Sequence, residues 1–361
     1  MVNQKSRFSR LAVCSVALAM AVGCGAAAPA DTGDGPAAPD RVTVSVVGNY
    51  ITAYAPFWAG APELAAIEER YATEIAYSSF GRGGDALTAV VGGGADVCIC
   101  NFAQGLRGAV QDQPISYVSN FFIGPGTALI GAAAHEADRG TDLRAYDGGT
   151  FGYTQEGGAS HLTLVATVED RGMNWADQNG IAVGSITALV PALQSGRVDA
   201  AVMDVASAAT SIRDGHGYLI HNSNDLPSSE AATGRILGNG LVMGREFRET
   251  YPELAQDLVD ATIAGLDRVR AETDASVVHG LMPPEFQEAH PDPEAFAAEW
   301  ELMQPAFLPT DGSTEPDALR DTTRDEFSAE DIAGPGAQSY IDNSLVDAAY
   351  SRLGIPRPSS S

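Results

Sequence analysis

The segment Ala89-Val-Val-Gly-Gly-Gly-Ala-Asp-Val-Cys-Ile-Cys-Asn101 returns in altered form as Ala192-Leu-Gln-Ser-Gly-Arg-Val-Asp-Ala-Ala-Val-Met-Asp204. Alanine, the inner glycine (Gly93, Gly196), the aspartate (Asp96, Asp199) and a polar last residue (Asn101, Asp204) fall in register. Each copy reads as a helix stopped by glycine, which takes the left-handed C-terminal conformation without a Cβ penalty. The chain then turns through aspartate into an apolar run too short for a helix. One unit used twice predicts two similar α/β lobes, and two lobes facing across a crevice can close on a small molecule.

The rest of the chain extends this pattern. Arg41 to Val47 alternates apolar and polar residues and predicts a first strand. Pro56 suits the first turn of a helix running to about Arg70. Further strands are expected at Glu74–Ser79, Asp96–Cys100 and Ile115–Phe122, and then at Thr150–Tyr153, Ile181–Gly184 and Asp199–Met203. Strands alternating with helices at this spacing imply mostly parallel sheets flanked by helices. Gly240 to Met243 should carry the chain back to the first lobe, and all beyond it reads as helical, with one helix over Glu246–Ala271 containing Pro252. The expected division is residues 41–124 with 239–361 for the first lobe and 125–238 for the second, giving two crossovers.

The N-terminus indicates the compartment. Lys5, Arg7 and Arg10 precede an apolar run from Leu11 to Val22, closed by Ala21-Val-Gly-Cys24. A basic start, a short apolar segment and small residues at its end make a signal peptide over residues 1–23. Cys24 then stands where a lipobox places the lipidated cysteine, and residues 24–40, rich in Ala, Pro, Gly and Asp, read as a flexible tether. The formal net charge of −26 excludes nucleic acid as a partner, because phosphate would be repelled. Lys5 is the only lysine, so the mature chain carries arginine alone as its strong cation. The six histidines show no ligand spacing, and Cys98 and Cys100 have no histidine motif beside them. No metal or cofactor is therefore expected, and the two cysteines read as small buried residues.

Several motifs in order resemble the bacterial solute-binding proteins of the sulfonate, taurine and nitrate type, whose wider family includes binders of thiamine-pyrimidine precursors. They are the lipobox, Ala55-Pro-Phe-Trp58 opening the first helix, Leu87 to Asp96, Gly157-Gly-Ala-Ser-His161 after a strand, Ala192 to Asp199, and Gly244-Arg-Glu-Phe247 through Tyr251-Pro-Glu-Leu254. The resemblance implies a type II periplasmic-binding fold with a helical C-terminal region. It also implies an extracytoplasmic monomer, held to the membrane only by its lipid, that delivers solute to an ABC permease and its ATPase. The alternative is an enzyme on the same fold, of the menaquinone-pathway or thiamine-pyrimidine synthase type. The thiamine-pyrimidine synthases use a cysteine-rich iron motif, of which this chain has only Cys98-Ile-Cys100. No nucleophile elbow, phosphate-binding loop or His-Glu-x-x-His motif occurs.

In parallel sheets, ligands sit beyond the carboxyl ends of the strands, beside helix N-termini. That rule selects Asn49, Tyr50, Tyr54 and Trp58 after the first strand, Phe80 and Gly81 after the second, Asn101 and Phe102 after the third, and Asn120 at the fourth. In the second lobe it selects Gln155, Gly158, Ser160, His161, Ser185 and Asp204. Two readings fit Gly158 and Ser160: an anion site built from backbone N–H groups, or an ordinary helix start capped by serine. Tyr54 and Trp58 offer stacking surfaces or core packing. Asp204 offers a carboxylate that repels anions, or a helix cap. Together these residues favour a small organic molecule with an apolar or aromatic part over a bare oxyanion.

Overall fold

The computed structural model describes residues 37–48 and 50–358 of the chain. The expected signal peptide, the expected lipidation site Cys24 and most of the expected tether lie outside these residues, as does Asn49. Among the described residues no helix is long and apolar enough to cross a membrane.

Among the described residues ten strands form two sheets. They are β1 (Arg41–Val47), β2 (Glu74–Phe80), β3 (Val97–Asn101), β4 (Ile115–Asn120), β5 (Thr127–Ala132), β6 (Thr150–Tyr153), β7 (Asn179–Ala182), β8 (Ala200–Asp204), β9 (Gly217–Asn222) and β10 (Asn239–Gly244). The first sheet has the order β2-β1-β3-β10-β4 and the second β7-β6-β8-β5-β9. The orders match strand for strand: a parallel trio, then one antiparallel strand, then an outer strand. In each sheet the antiparallel strand arrives from the other sheet, since β5 follows β4 and β10 follows β9. Two crossovers result, as the sequence predicts for a two-lobed periplasmic-binding fold.

The alternation in β1 sets the layers. Val42, Val44 and Val46 are buried in one core with Phe57, Trp58 and the long helix Pro252–Ala271. Val47 and Phe80 face the opposite core, where Phe102, Tyr117 and Tyr340 pack. The long helix crosses the short helix Ala55–Trp58 at Gly265, where a Cβ would overlap the Pro56 carbonyl. The repeated unit forms as predicted. Gly93 and Gly196 both have positive φ, at 72° and 68°, and a strand follows each.

Three expectations need correction. The segment Glu246–Ala271 is two helices, Arg245–Thr250 and Pro252–Ala271, because Tyr251 before the proline is held out of the helical region at φ −125° and ψ 59°. Gly217–Asn222, not anticipated from the sequence, is a strand that pairs with β5 at the edge of the second sheet. Cys98 and Cys100 are buried, but the structure joins them as a disulfide across one residue, with Cα atoms 5.4 Å apart.

Candidate functional site

The two crossovers run side by side and form a floor. Gly124 N–H donates to the Ile236 carbonyl at 2.7 Å, and Gly238 N–H to the Phe122 carbonyl at 3.0 Å. Ile123 and Leu237 form an isolated antiparallel bridge between them. Asn120 fastens the first crossover. Its Oδ1 accepts from the Tyr117 hydroxyl at 2.8 Å, and its Nδ2 donates to the Phe122 carbonyl at 3.0 Å and to Thr310 Oγ1 at 3.2 Å. With both ends of its amide occupied and no exposure, Asn120 holds the floor rather than facing a ligand.

Above this floor lies a cavity of about 470 Å³, a size suited to a small organic molecule. One wall follows the first sheet: Asn101, which ends β3, with Ala103 and Arg107 of the helix Phe102–Val110 and residues 321, 322 and 324–326. The other follows the second sheet: Gln155, Gly157, Gly158 and the first turns of the helix Ala159–Asp170, with Ala232 and Thr233. Asn239, Phe122 and Ile236 complete it from the crossovers.

The chemistry of this lining is mixed. Arg107 pairs with Glu326, and Arg324 lies 3.6 Å from Asp325, so the guanidinium groups are matched by carboxylates at the rim. The helix Ala159–Asp170 begins at Gly158 with no side-chain cap, which leaves first-turn N–H groups and the positive end of the helix dipole at the cavity. Asn101, Gln155 and Asn239 add amides, while Phe122, Leu162 and Ile236 supply apolar surface. Among the described residues no three His, Cys, Asp or Glu side chains gather as metal ligands. The arrangement can hold an organic body between hydrogen-bonding groups on both walls, with a polar or anionic group at the helix start.

Of the residues selected from sequence, this cavity brings together Asn101, Gln155 and Gly158. Ser160 is turned away, its Oγ accepting from Thr154 N–H at 3.0 Å. His161 is buried against the Tyr153 ring at 4.5 Å, and its Nδ1 accepts from Gly157 N–H at 3.1 Å. Phe102 packs in the core between Tyr117 and Tyr340. Phe80 joins the same core, Gly81 stands in open surroundings, and Ser185 is exposed beside Thr187 at 3.1 Å; none of the three lines the cavity. Asp204 caps the helix Val205–Arg213 by accepting from Ser207 N–H at 3.1 Å, while its Oδ2 is buried without a hydrogen-bond partner. Tyr54 is buried and donates to the Val47 carbonyl at 3.3 Å; burial raises its pKa to about 12, and the Asn239 side chain also hydrogen-bonds it. Trp58 and Tyr50 pack against each other with tilted rings, 4.8 Å between centroids, at the outer edge of the first sheet.

Sequence reasoning missed Arg107, Asn239 and the segment around residues 321–326. Arg107 had a signal, since it stands one helical turn beyond Ala103 and so shares the face next to Asn101. Asn239 opens the returning strand and is equally legible once that strand is placed. The segment near residue 322 reaches the cavity only through tertiary folding: the Leu237 N–H donates to Thr322 Oγ1 at 2.8 Å.

Comparison with solved structures places this geometry among known folds. The putative periplasmic sulfonate-binding protein of an ABC transporter from Methylobacillus flagellatus KT superposes with a TM-score of 0.65 at 14% identity, covering 87% of this chain and 94% of that one. The periplasmic aliphatic sulphonate binding protein from Escherichia coli gives 0.56 at 16% identity, covering 90% and 91%. The periplasmic nitrate-binding protein from Synechocystis PCC 6803 gives 0.60 at 13% identity, covering 89% and 91%. These likenesses establish the periplasmic-binding fold. No curated protein matches the chain in sequence. The family model described as NMT1/THI5 like matches residues 74–276, more than half of the chain, and the protein therefore belongs to the NMT1/THI5-like family.

Proposed function

We propose that this chain is an extracytoplasmic solute-binding lipoprotein that captures a small organic molecule between its lobes and delivers it to an ABC import permease with its ATPase. In this reading residues 41–124 and 239–361 make one lobe, residues 125–238 make the other, and lipidated Cys24 anchors the protein as a monomer. The observation that carries the proposal is the cavity above the paired crossovers, which is lined from both lobes. A ligand can favour a closed state only through contacts that the open state lacks, and a site shared between lobes provides them. The sulfonate- and nitrate-binding relatives support the role through their common fold.

The lining favours a sulfonate-like or an aromatic or heterocyclic solute. An oxyanion group would meet the uncapped helix start at Gly158, and an apolar body would rest on Phe122, Leu162 and Ile236. The deciding experiment is native mass spectrometry of protein purified without refolding. A bound organic molecule, released on denaturation and rebinding with a closing of the lobes in small-angle scattering, is the expected result. Protein that carries nothing and shows no thermal shift across sulfonates and heterocycles would remove the ligand assignment.

A further inference from the structure

A second built cavity lies away from the interlobe cavity. Tyr50, Trp58 and Tyr77 line two adjoining spaces of about 510 Å³ and 220 Å³ at the edge of the first sheet, and neither shares a residue with the interlobe cavity. The rings form a corner: Trp58 lies 4.8 Å from Tyr50 at 46° and 5.1 Å from Tyr77 at 69°. Tyr77 is 39% exposed, a large aromatic left on the surface of edge strand β2. Tyr50 holds a φ of 54°, a costly conformation for a residue with a Cβ. It is fixed there from behind, where His290 Nε2 donates to its carbonyl at 2.7 Å and His290 in turn stacks on Phe286 at 4.4 Å.

The charged side chains that line this corner are all carboxylates. Glu68, Glu74 and Glu285 line the larger space and no arginine does. Glu74 is matched by Arg41 at 2.7 Å, and Glu68 accepts from Ile75 N–H at 2.8 Å, whereas Glu285 is exposed and has no ion pair among the described residues. Burial followed by the carboxylates of Glu285 and Glu288 pushes the Tyr50 phenol above its ordinary pKa. Trp58 is 2% exposed and packs against both tyrosines.

We propose that Tyr50 and Tyr77, braced by the buried Trp58, form a second binding site, for an organic ammonium ion. The rings of Tyr50 and Tyr77 attract the cation. Glu285 and Glu68 add a negative field. An anionic or zwitterionic ligand would bring a carboxylate against Glu285, so the site selects singly charged cations. Because every lining residue belongs to the first lobe as proposed above, binding here needs no closure of the interlobe cleft.

Calorimetric titration of the full-length folded protein with choline, tetramethylammonium and the uncharged choline isostere 3,3-dimethylbutan-1-ol tests this. Choline and tetramethylammonium should both bind, and the alcohol should not. Tyr77→Ala should weaken choline binding about tenfold or more, and the exposed change Glu285→Gln several-fold. Gln155→Ala, in the interlobe cavity, should leave choline binding unchanged. Equal binding of the alcohol, or no choline binding at all, overturns the proposal. So does choline binding that survives Tyr77→Ala and Glu285→Gln but falls with Gln155→Ala, since that locates the cation in the interlobe cavity. Failure here leaves the solute-binding proposal for the interlobe cavity standing.

Discussion

Asp96 is joined to Thr43 by two hydrogen bonds that run in opposite directions: Asp96 N–H donates to the Thr43 carbonyl at 2.9 Å, and Thr43 N–H donates to Asp96 Oδ2 at 2.8 Å. Asp199 repeats the pair on Thr150, at 2.7 Å and 2.9 Å. This explains why the aspartate recurs in the repeated unit: each one clips the incoming strand to its parallel neighbour where the ladder begins. The two differ in their surroundings. Burial raises the pKa of Asp96, and the Thr43 N–H offsets this only in part. Burial also opposes ionisation of Asp199, but the Thr150 N–H, His135 at 2.9 Å and Arg139 at 3.3 Å outweigh it and hold its pKa low.

The first prediction follows from that contrast. Asp199→Asn should destabilise the protein by about 1 kcal/mol at neutral pH, because it keeps the acceptor for Thr150 and loses the pairing with His135 and Arg139. The contribution of Asp199 is present above its unfolded pKa of about 4 and is lost as pH falls through the lower folded value. Asp96 has the opposite sign: its raised pKa favours folding below about pH 4, and that gain disappears as pH rises through the folded value. Asp96→Asn should therefore be neutral or stabilising at pH 7. Urea denaturation of both variants from pH 3 to pH 8 checks the signs, and parallel profiles for the two would be inconsistent with them.

The second prediction concerns the crossing of helices under the first sheet. Gly265→Ala adds a methyl group that overlaps the Pro56 carbonyl, and Gly60 faces the Ala261 carbonyl just as closely. The helices must separate, and a cost of about 2 kcal/mol is expected. Gly280→Ala, where a Cβ meets nothing, serves as the control and should change thermal stability little.

What was legible in the sequence was backbone, and what was not was side-chain direction. Glycine stops and aspartate clips act over a few residues, so the repeat at Gly93 and Gly196 located helices, strands and the fold class. The rule of strand ends selected Asn101, Gln155 and Gly158, which line the cavity, since all three lie where a strand runs into a helix. It gave no means of knowing which sheet face a neighbour takes, and Tyr54, Trp58 and Phe102 turn into cores. The break at Tyr251 was written in the sequence as Tyr251-Pro252, but the apolar period continues across it and hides it. Strand β9 was harder to find, because Gly217-Tyr-Leu-Ile-His-Asn222 is a short edge strand whose partner, β5, comes from the far side of a crossover.

The third prediction tests the interlobe site without disturbing the fold. Gln155 makes no side-chain hydrogen bond among the described residues, so Gln155→Ala should leave thermal stability within about 0.5 kcal/mol. Asn101 caps the helix Phe102–Val110 by accepting from Gln104 N–H at 3.3 Å, and Asn101→Ser keeps a capping oxygen while withdrawing the amide from the cavity. The double variant should weaken solute binding by about 2 kcal/mol, measured by calorimetry with whichever molecule co-purifies. Undiminished affinity in a stable double variant would show that the solute sits elsewhere.

The fourth prediction concerns where the protein resides. Ala21-Val-Gly-Cys24 closes an apolar segment that is too short to remain as a membrane span, and the stretch behind it has the Ala-, Pro- and Gly-rich composition of a spacer. Cys24 should carry the lipid and be the first residue of the mature chain. A single acyl chain holds a protein only weakly, so stable retention requires more than one on this residue. Cys24→Ala should move the protein from the membrane fraction to the soluble fraction while leaving solute affinity unchanged, since the described lobes begin well beyond it. Intact-mass measurement of the detergent-extracted wild type should show the added acyl mass on a chain starting at Cys24. A wild-type protein that is fully soluble and starts at another residue would exclude the anchor, and delivery would then depend on free diffusion to the permease.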